Sequence, residues 1–447
     1  MKKRAVSTLV LAVLLTGLTL LQGCGGGGGG STTPEVTDEN DGGTGDPNDP
    51  ANDEPAPAPD ADVVNTPQSA RHHNVALTFD DNGNGIAVWE TGREYGIKLL
   101  YSLYDPGTGT WSAEQVLTGS ANVTALDTFK YSVASTGSGF AVTWEESAAV
   151  HEDHLYAAVY SNGAWSATTR LDNIDGDIVD DYRLAAASNG YMLVWNHTRT
   201  QSLFFSRYSN GAWSEPALVA SVSGSPALLE LVSNGTDYLL AYCDGSFCSG
   251  NSASTATFVN GSWKAPMALS DVSNIKFGSD GSGYMAIVKE GGDLYWSRYD
   301  GGAEWTTPAL LANSASDAVL EAADSGYVLA YSTGSYSTEA VHAVRFDGSA
   351  WGTARKVADA PYASKLSVAV NGSDYGVSWL AKTDGVTEDF YAAVSSGGVL
   401  QAPALLEQNA RPVTGAAAAG TGSGYAYAWI QYDGAATDEL YTRTYAS

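Results

Sequence analysis

Histidine side chains that could bind a metal ion are concentrated in two polar segments of the sequence. His151 and His154 enclose two acids in His-Glu-Asp-His, and His197 lies in the segment that follows Trp195. Imidazole and carboxylate groups together are common ligands of transition metals. We therefore expect His151, His154 and His197 to be candidate metal ligands, with ordinary solvated loop residues as the alternative.

A third polar segment carries oxygen ligands instead of nitrogen ligands. Asp175, Asp177 and Asp180 lie close together in an acidic loop. Calcium prefers such carboxylate oxygens, but the spacing differs from the regular twelve-residue calcium loop. We therefore expect these three residues to be candidate calcium ligands. No other feature of the sequence calls for a cofactor.

Polar side chains also follow the apolar runs of the sequence, where a binding surface would form. Glu90, Glu145 and Asn196 each come directly after a tryptophan, and Arg93 and Asp244 lie in the variable loops that follow such runs. Variable loops on a rigid scaffold are where ligands tend to bind. We expect these five residues to contribute to a ligand site, with solvation of a loop rim as the alternative.

The three cysteines divide into one near the N-terminus and a pair. Cys243 and Cys248 lie in Cys-Asp-Gly-Ser-Phe-Cys, inside one of the variable loops. In an oxidising compartment two cysteines this close favour a disulfide, and the pair offers too few ligands for a structural metal. A redox role is the alternative.

The first 23 residues predict a cleaved targeting signal. Met1–Arg4 is cationic, and the apolar run Ala5–Leu21 is too short for a comfortable membrane-spanning helix. The ending Leu-Gln-Gly-Cys resembles the lipobox of bacterial lipoproteins, which implies acylation of Cys24, by palmitate for example. With Gly25 next, the resemblance implies an outer-membrane anchor, at the cell surface or the periplasmic face; a plain secretory signal is the alternative.

Residues 24–61 predict a disordered acidic tether between the anchor and the folded part. The stretch from Gly25 to Asp62 holds ten acidic residues, no basic ones and many Gly and Pro, so it cannot bury enough apolar surface to order itself. The whole chain has a net charge of −28. This charge argues against nucleic acid as a partner and restricts membrane contact to the lipid anchor.

Residues 62–447 consist of one unit of about 49 residues repeated eight times. The segment Tyr160–Ser166 recurs letter for letter at Tyr208–Ser214. Each unit holds an apolar run that ends at one of eight positions: Trp89, Trp144, Trp195, Tyr242, Val288, Tyr331, Trp379 and Trp429. Turns rich in Gly, Asn, Asp and Ser precede and follow the alternating strands.

Four short antiparallel strands per unit predict an all-β fold, an eight-bladed β-propeller, with seven blades as the alternative. The chain ends after the third strand of the eighth unit. We expect Asp62–Asn65 to supply the missing fourth strand, which closes the ring and removes its open edges.

The turn between the third and fourth strands resembles the Asp-box (BNR repeat) of sialidase-like propellers, in the degenerate form Ser-x-Asn/Asp-Gly-x-Trp. The resemblance covers six units and implies a folding element away from any active site. An Arg-Ile-Pro motif typical of sialidases is absent from the sequence. We interpret Arg207, Arg298, Arg345 and Arg443 as one repeat position and not as a substrate-binding cluster.

The function predicted from these features is non-catalytic. We expect a monomeric lipoprotein whose propeller binds a glycan or a protein partner at the face formed by the variable loops. Whether it is an enzyme stays open. One alternative is a glycosidase or sialidase-like hydrolase with paired carboxylates in the central pocket; another is a scaffold for envelope assembly, by analogy of fold alone.

Overall fold

The structure is a computed structural model, and it describes most of the chain after residue 61. The described residues are 62–63, 72–91, 98–119, 130–149, 152–172, 179–222, 227–243, 252–270, 274–302, 304–324, 326–383, 388–407, 413–432 and 438–446. Cys24 and both predicted N-terminal segments lie outside these ranges, so the signal, the acylation and the tether stay predictions. No helix in these ranges is long and apolar enough to span a membrane.

The strands form eight antiparallel sheets, numbered here as blades in chain order. A two-residue strand, β1 (Asp62–Val63), precedes them. Blade 1 contains β2 (His72–Phe79), β3 (Gly85–Thr91), β4 (Lys98–Asp105), β5 (Thr110–Trp111) and β6 (Gln115–Gly119). Blade 2 contains β7 (Tyr131–Thr136), β8 (Gly139–Ala149), β9 (Glu152–Ser161), β10 (Ala164–Trp165) and β11 (Thr169–Arg170). Blade 3 contains β12 (Val179–Ala187), β13 (Gly190–His197), β14 (Ser202–Ser209), β15 (Ala212–Trp213) and β16 (Ala217–Ser221).

The next three blades repeat this order. Blade 4 contains β17 (Ala227–Ser233), β18 (Tyr238–Cys243), β19 (Ser252–Val259), β20 (Ser262–Trp263) and β21 (Met267–Ser270). Blade 5 contains β22 (Asn274–Ser279), β23 (Tyr284–Glu290), β24 (Asp293–Tyr299) and β25 (Ala309–Ala312). Blade 6 contains β26 (Ala315–Ala323), β27 (Gly326–Thr333), β28 (Ala340–Phe346) and β29 (Arg355–Asp359), with a 3₁₀ turn at Tyr336–Thr338.

The last two blades complete the ring. Blade 7 contains β30 (Ser364–Asn371), β31 (Asp374–Ala381), β32 (Asp389–Ser396), β33 (Val399–Leu400) and β34 (Ala404–Glu407). Blade 8 contains β35 (Val413–Gly420), β36 (Gly424–Tyr432) and β37 (Asp438–Ala446). Its outer strand is β1, which pairs antiparallel with β37 through Asp62↔Thr442 and Val63↔Tyr441. The rest of the predicted closing strand, Val64 and Asn65, lies outside the described residues.

The first strand of each blade lies next to the first strand of the following blade around a closed ring. The contacts run from β2 to β7, β12, β17, β22, β26, β30 and β35, and from β35 back to β2. The eight-bladed all-β prediction is therefore confirmed, and the seven-bladed alternative is wrong. The antiparallel order places two kinds of connection on one side of the ring: those from second to third strands, and those from one blade to the next. This side is called the loop face, and the opposite side the turn face.

Apolar side chains fill every interface between neighbouring blades. Within the described residues they form eight clusters, one per interface. Strand periodicity explains this arrangement, because successive side chains point to opposite faces of a sheet. In β3, Trp89 packs against blade 8, while its neighbour Val88 packs against blade 2. The repeated strand aromatics are thus core residues, each directed at the preceding blade.

The seven-residue identity forms a tight hairpin between the third strand and the next. In both copies the Asn and Gly of the turn have positive φ: 52° and 81° at Asn162 and Gly163, and 54° and 85° at Asn210 and Gly211. Positive φ at both central residues defines a type I′ turn, which matches the twist of the flanking strands. The repeated segment therefore builds a hairpin of the scaffold, and its identity as an Asp-box stays a prediction.

The tryptophan after this turn packs at the interface with the preceding blade. Trp165 lies 5.2 Å from Tyr101 of blade 1, measured between ring centroids, and Trp263 lies 5.7 Å from Phe205 of blade 3. Trp351 lies 6.5 Å from Trp296 of blade 5, which gives a role to the one tryptophan outside the two repeat positions. Edge-on and tilted aromatic pairs of this kind contribute about 0.5–1.5 kcal/mol beyond the area that they bury.

Candidate functional site

Glu90, Glu145 and Asn196 lie at the loop face, where each follows the tryptophan of its second strand. Nδ2 of Asn74 donates a hydrogen bond of 3.4 Å to Oε1 of Glu90, and Oδ1 of Asn196 accepts one of 2.7 Å from the Asp181 N–H. Glu145 lies 4.0 Å from Nζ of Lys130. All three residues therefore contact the first strand of their own blade or the residue directly before it, and their role in ligand binding stays a prediction. Arg93 and Asp244 lie outside the described residues.

His154 is buried in blade 2, in a group of charged residues at the start of β9. Its Nδ1 lies 3.0 Å from Oδ2 of Asp172. The same carboxylate accepts hydrogen bonds from the Leu155 N–H, at 2.7 Å, and from Nη2 of Arg170, at 2.9 Å. Asp172 is thus held by three donors, an arrangement that orients the imidazole ring of His154.

His197 occupies a different environment, in blade 3. Its ring is buried and meets the Phe204 ring edge to face, with centroids 5.2 Å apart. His154 thus belongs to the third strand of blade 2 and His197 to the second strand of blade 3. Among the described residues no three His, Cys, Asp or Glu side chains are arranged to hold a metal ion. His151, Asp175, Asp177 and the Asp180 side chain lie outside that part of the chain, so the metal site stays a prediction.

Cys243 ends β18 and is fully buried at the loop face. Cys248 lies outside the described residues. The predicted disulfide therefore stays a prediction, although its first cysteine lies at the base of the loop that the disulfide would constrain.

Three third-strand arginines share one repeat position and reach across to the next blade at the turn face. Arg207 lies over the Phe258 ring, Arg298 donates a 3.1 Å hydrogen bond to the Gly348 carbonyl, and Arg345 donates one of 2.6 Å to the Ser373 carbonyl. The prediction that Arg443 shares this repeat position is wrong by one residue. Arg443 pairs with Tyr427, two residues before the strand tryptophan, whereas Arg207 pairs with Met192, three residues before it.

Arg183 is a buried arginine near the centre of the ring, and it is fully occupied by backbone and carboxylate acceptors. It donates to the Leu228 carbonyl at 2.7 Å, to the Leu229 carbonyl at 3.3 Å and to Oδ1 of Asp181. These carbonyls lie at the bulge of β17, so Arg183 ties blade 3 to blade 4. Burial raises the pKa of the neighbouring Glu230, although the positive charges of Arg183 and Lys276 oppose the rise.

A cavity of about 130 Å³ opens at the turn face, between the first strands of blades 1, 6, 7 and 8. Its acidic lining residues are Asp80, Asp81, Glu321 and Asp324. Asp80 is committed to its own turn, since Oδ1 accepts hydrogen bonds of 2.9 Å from the N–H groups of Asn82 and Asn84. The hydrogen bonds of Asp80 show that the geometry of its turn shapes this part of the cavity.

Two exposed tyrosines form an aromatic platform on the loop face of blade 6. Tyr336 lies in the loop between β27 and β28 and is 73% exposed, and Tyr362 lies in the connection from blade 6 to blade 7 and is 39% exposed. Their ring centroids are 6.1 Å apart, and the ring planes are inclined by 58°. The pair Tyr336 and Tyr362 is called the tyrosine platform below.

The backbone holds the tyrosine platform in one geometry. The Tyr362 N–H donates to the Tyr336 carbonyl at 2.7 Å, and the Ala360 N–H donates to the Glu339 carbonyl at 2.9 Å. Both tyrosines have positive φ, 49° at Tyr336 and 56° at Tyr362. Bulky residues rarely adopt this conformation, and such outliers cluster at ligand-binding positions. The platform is therefore preorganised, at a cost in backbone strain.

Side chains around the tyrosine platform are held by hydrogen bonds and ion pairs. Oγ of Ser316, in β26, donates a hydrogen bond of 3.1 Å to Oε1 of Glu339, which lies at the end of the Tyr336 loop. On the blade 7 side, the Lys382 N–H donates to the Pro361 carbonyl at 2.8 Å, and Nζ of Lys382 lies 3.7 Å from Oε1 of Glu388. Amine, hydroxyl and carboxylate groups thus belong to the segments that hold the two tyrosine loops.

Sequence reasoning missed the tyrosine platform, because it compared the units by their repeated strands. The signal lay in two loops that do not repeat, in Gly-Ser-Tyr-Ser at Gly334–Ser337 and Ala-Pro-Tyr-Ala at Ala360–Ala363. Both loops belong to the loop face of one blade. An aromatic residue in each of two loops expected on the same face would have identified the pair.

Comparisons with known proteins establish the fold. No protein-family model matches the chain, and no curated protein matches it. Among solved structures, the Dos1 propeller is similar with a TM-score of 0.50 and 10% identity, over 84% of this chain and 95% of that chain. The β-propeller domain of the Trilobed protease from Pyrococcus furiosus gives 0.45 and 8%, over 77% and 99%. A fucose-specific lectin from Aleuria aurantia gives 0.36 and 12%, over 62% and 95%. At these identities the likeness concerns the β-propeller fold alone.

Proposed function

We propose that this propeller is a non-catalytic glycan-binding module and that the tyrosine platform is its ligand site. The observation that carries the proposal is the exposure of Tyr336 and Tyr362 as a preorganised pair on the loop face. The C–H groups on one face of a pyranose ring form an apolar surface, which stacks on an aromatic ring while the hydroxyl groups remain at the edge. Tyrosine suits this contact because it combines a flat apolar body with a polar tip.

Folding gives no reason for a tyrosine at either position. A ring that is 73% exposed adds little to the core, and a positive φ favours glycine or asparagine over an aromatic residue. By strand register, the blade 5 hydrogen bond from the Ala315 N–H to the Gly292 carbonyl, at 2.7 Å, corresponds in blade 6 to the one from the Ala360 N–H to the Glu339 carbonyl, since Gly292 and Glu339 each directly precede the third strand. Blade 6 thus places Tyr336, a strained aromatic residue, in a loop longer than that of blade 5, and binding supplies the reason.

The predicted lipid anchor and its location are part of the proposal. Acylation at Cys24, supported by the lipobox-like ending of the signal, would hold the module at the outer membrane, on the cell surface or the periplasmic face. A chain with a net charge of −28 remains soluble beside a membrane and does not favour anionic ligands. The anchored module would therefore present its loop face to glycans of the envelope or of the surroundings.

The test is a glycan-array screen of the chain produced from residue 24 onward with Cys24→Ser, with and without calcium. Oligosaccharide binding that weakens about tenfold or more in Tyr336→Ala and in Tyr362→Ala supports the proposal. A matched control is Leu218→Ala, which removes an apolar side chain that is 53% exposed on the rim of blade 3 and should leave binding unchanged.

Two results would overturn the glycan proposal. If no glycan binds and a stable protein complex co-purifies with the chain, the scaffold function replaces it. If the chain cleaves a glycan and loses that activity on mutation of a carboxylate at the centre of the ring, the hydrolase function replaces it.

A further inference from the structure

We infer that the tyrosine platform takes an uncharged oligosaccharide and contacts two consecutive pyranose rings, one on each tyrosine. This inference rests on the proposed function and specifies its ligand. Its two parts, the length of the ligand and its charge, follow from different observations on the platform.

The inclination of the two rings determines the length of the ligand. A pyranose chair is rigid and offers one flat apolar face, which can lie parallel to one aromatic ring at a time. The planes of Tyr336 and Tyr362 are inclined by 58°, so a single sugar ring cannot stack on both. Two sugar rings joined by a glycosidic bond can tilt relative to each other, and can therefore match both tyrosines.

Because the two tyrosine rings are held at a fixed separation, a second sugar ring that stacks on the platform should increase the affinity. The centroids are 6.1 Å apart, and the hydrogen bond from the Tyr362 N–H to the Tyr336 carbonyl ties the two loops together. Because both rings are held before the ligand arrives, binding of a second sugar ring costs little further ordering of the protein. Each sugar that stacks should therefore add to the affinity.

The charges beside the platform argue for an uncharged ligand. Lys356 is ion-paired with Asp359, and Lys382 lies 3.7 Å from the Glu388 carboxylate. Lys365 makes no ion pair within the part of the chain that the structure describes, so it offers a single positive charge. One lysine on a chain with net charge −28 does not offset the repulsion of a polyanion. The site therefore favours neutral sugars over uronic acids.

The experiment is calorimetric titration of the Cys24→Ser chain with monosaccharide, disaccharide and trisaccharide members of neutral series: glucose with cellobiose and cellotriose, and N-acetylglucosamine with its β-1,4-linked dimer and trimer. In the series that binds, we expect the disaccharide to bind at least tenfold more tightly than the monosaccharide. Tyr336→Ala and Tyr362→Ala should each reduce this ratio to about one. Tyr336→Phe, which keeps the ring, should retain the ratio, and Leu218→Ala is the folding and surface control.

Equal affinities of monosaccharide and disaccharide for the unmodified chain would overturn the inference about length and leave the proposed function standing. Tighter binding of a diglucuronic acid than of cellobiose, with affinity that falls as salt is added, would overturn the inference about charge. Binding of every sugar unchanged by both tyrosine substitutions would overturn the site and the proposed function together.

Discussion

Replacing Tyr336 by glycine should separate ligand binding from folding. The Tyr336 carbonyl accepts the N–H of the connection to the next blade, as do the carbonyls of Gln201 in blade 3 and Gly292 in blade 5. All three residues have positive φ, 49°, 50° and 95° respectively. Because glycine adopts a positive φ without steric cost, Tyr336→Gly should preserve the backbone hydrogen bond and the loop.

The expected change in the free energy of unfolding is small, because opposing effects nearly cancel. Release from the left-handed conformation stabilises the chain by about 1–2 kcal/mol. The greater freedom of glycine in the unfolded chain costs about 0.5–1 kcal/mol, and loss of the contact with the Tyr362 ring costs at most about 0.5–1.5 kcal/mol. The sum lies within about 1.5 kcal/mol of zero, while disaccharide binding should weaken about tenfold or more.

Urea unfolding and calorimetric titration measure the two quantities on the same preparation. Gln201→Gly is the matched control: it changes the backbone in the same way without removing an aromatic ring, and it should leave sugar binding intact. A loss of more than about 2 kcal/mol in Tyr336→Gly, with Gln201→Gly near zero, would show that the tyrosine ring supports the fold, and would refute the reasoning.

Three further predictions concern the scaffold. Trp263→Ala removes a ring packed between blades 3 and 4, so the free energy of unfolding should fall by about 3 kcal/mol in urea titrations, with sugar binding unchanged. Arg183→Met leaves buried carbonyls and Asp181 without their donor; it should cost about 3–5 kcal/mol by the same measurement, and a smaller loss would show that water replaces the guanidinium. Asp374 should make the free energy of unfolding depend on pH in the acid range. Burial alone would raise its pKa, but hydrogen bonds from Gly398, Ser395 and Gly397 outweigh burial and lower the pKa. Its contribution is therefore present above about pH 4 and lost as pH falls below that value, so the melting temperature of Asp374→Asn should vary less with pH between 4 and 2 than that of the unmodified chain.

The eight-bladed fold is predictable from sequence because every blade must fill the same interface. Trp89, Trp144 and their counterparts recur at a regular spacing since each packs against the preceding blade, and core packing tolerates few substitutes at that position. The hairpin turn is predictable for a similar reason, because positive φ restricts it to Asn and Gly. These constraints repeat with the unit, so they are visible in one sequence.

The ligand site follows no such rule. Tyr336 and Tyr362 lie in loops that differ from blade to blade, and their proximity depends on the path of two separate connections. The displacement of Arg443 shows the same limit within a strand: counting along a repeat does not reveal a one-residue shift in pairing. Contacts that depend on register or on loop path require the three-dimensional structure.

The uneven distribution of aromatic contacts around the ring has a mechanical consequence. Blades 1 to 6 each pack a turn tryptophan against the preceding blade, whereas blade 7 has Leu400 at that position. The described residues of blade 8 hold no turn tryptophan, but Phe390 of blade 7 packs against Trp429 of blade 8. The interface between blades 6 and 7 should therefore separate first under thermal or applied stress, and its amide hydrogens should exchange earliest. The connection that carries Tyr362 crosses this interface. An oligosaccharide bound to both tyrosines would connect the two sides of this interface. Ligand binding should therefore stabilise the whole propeller against opening.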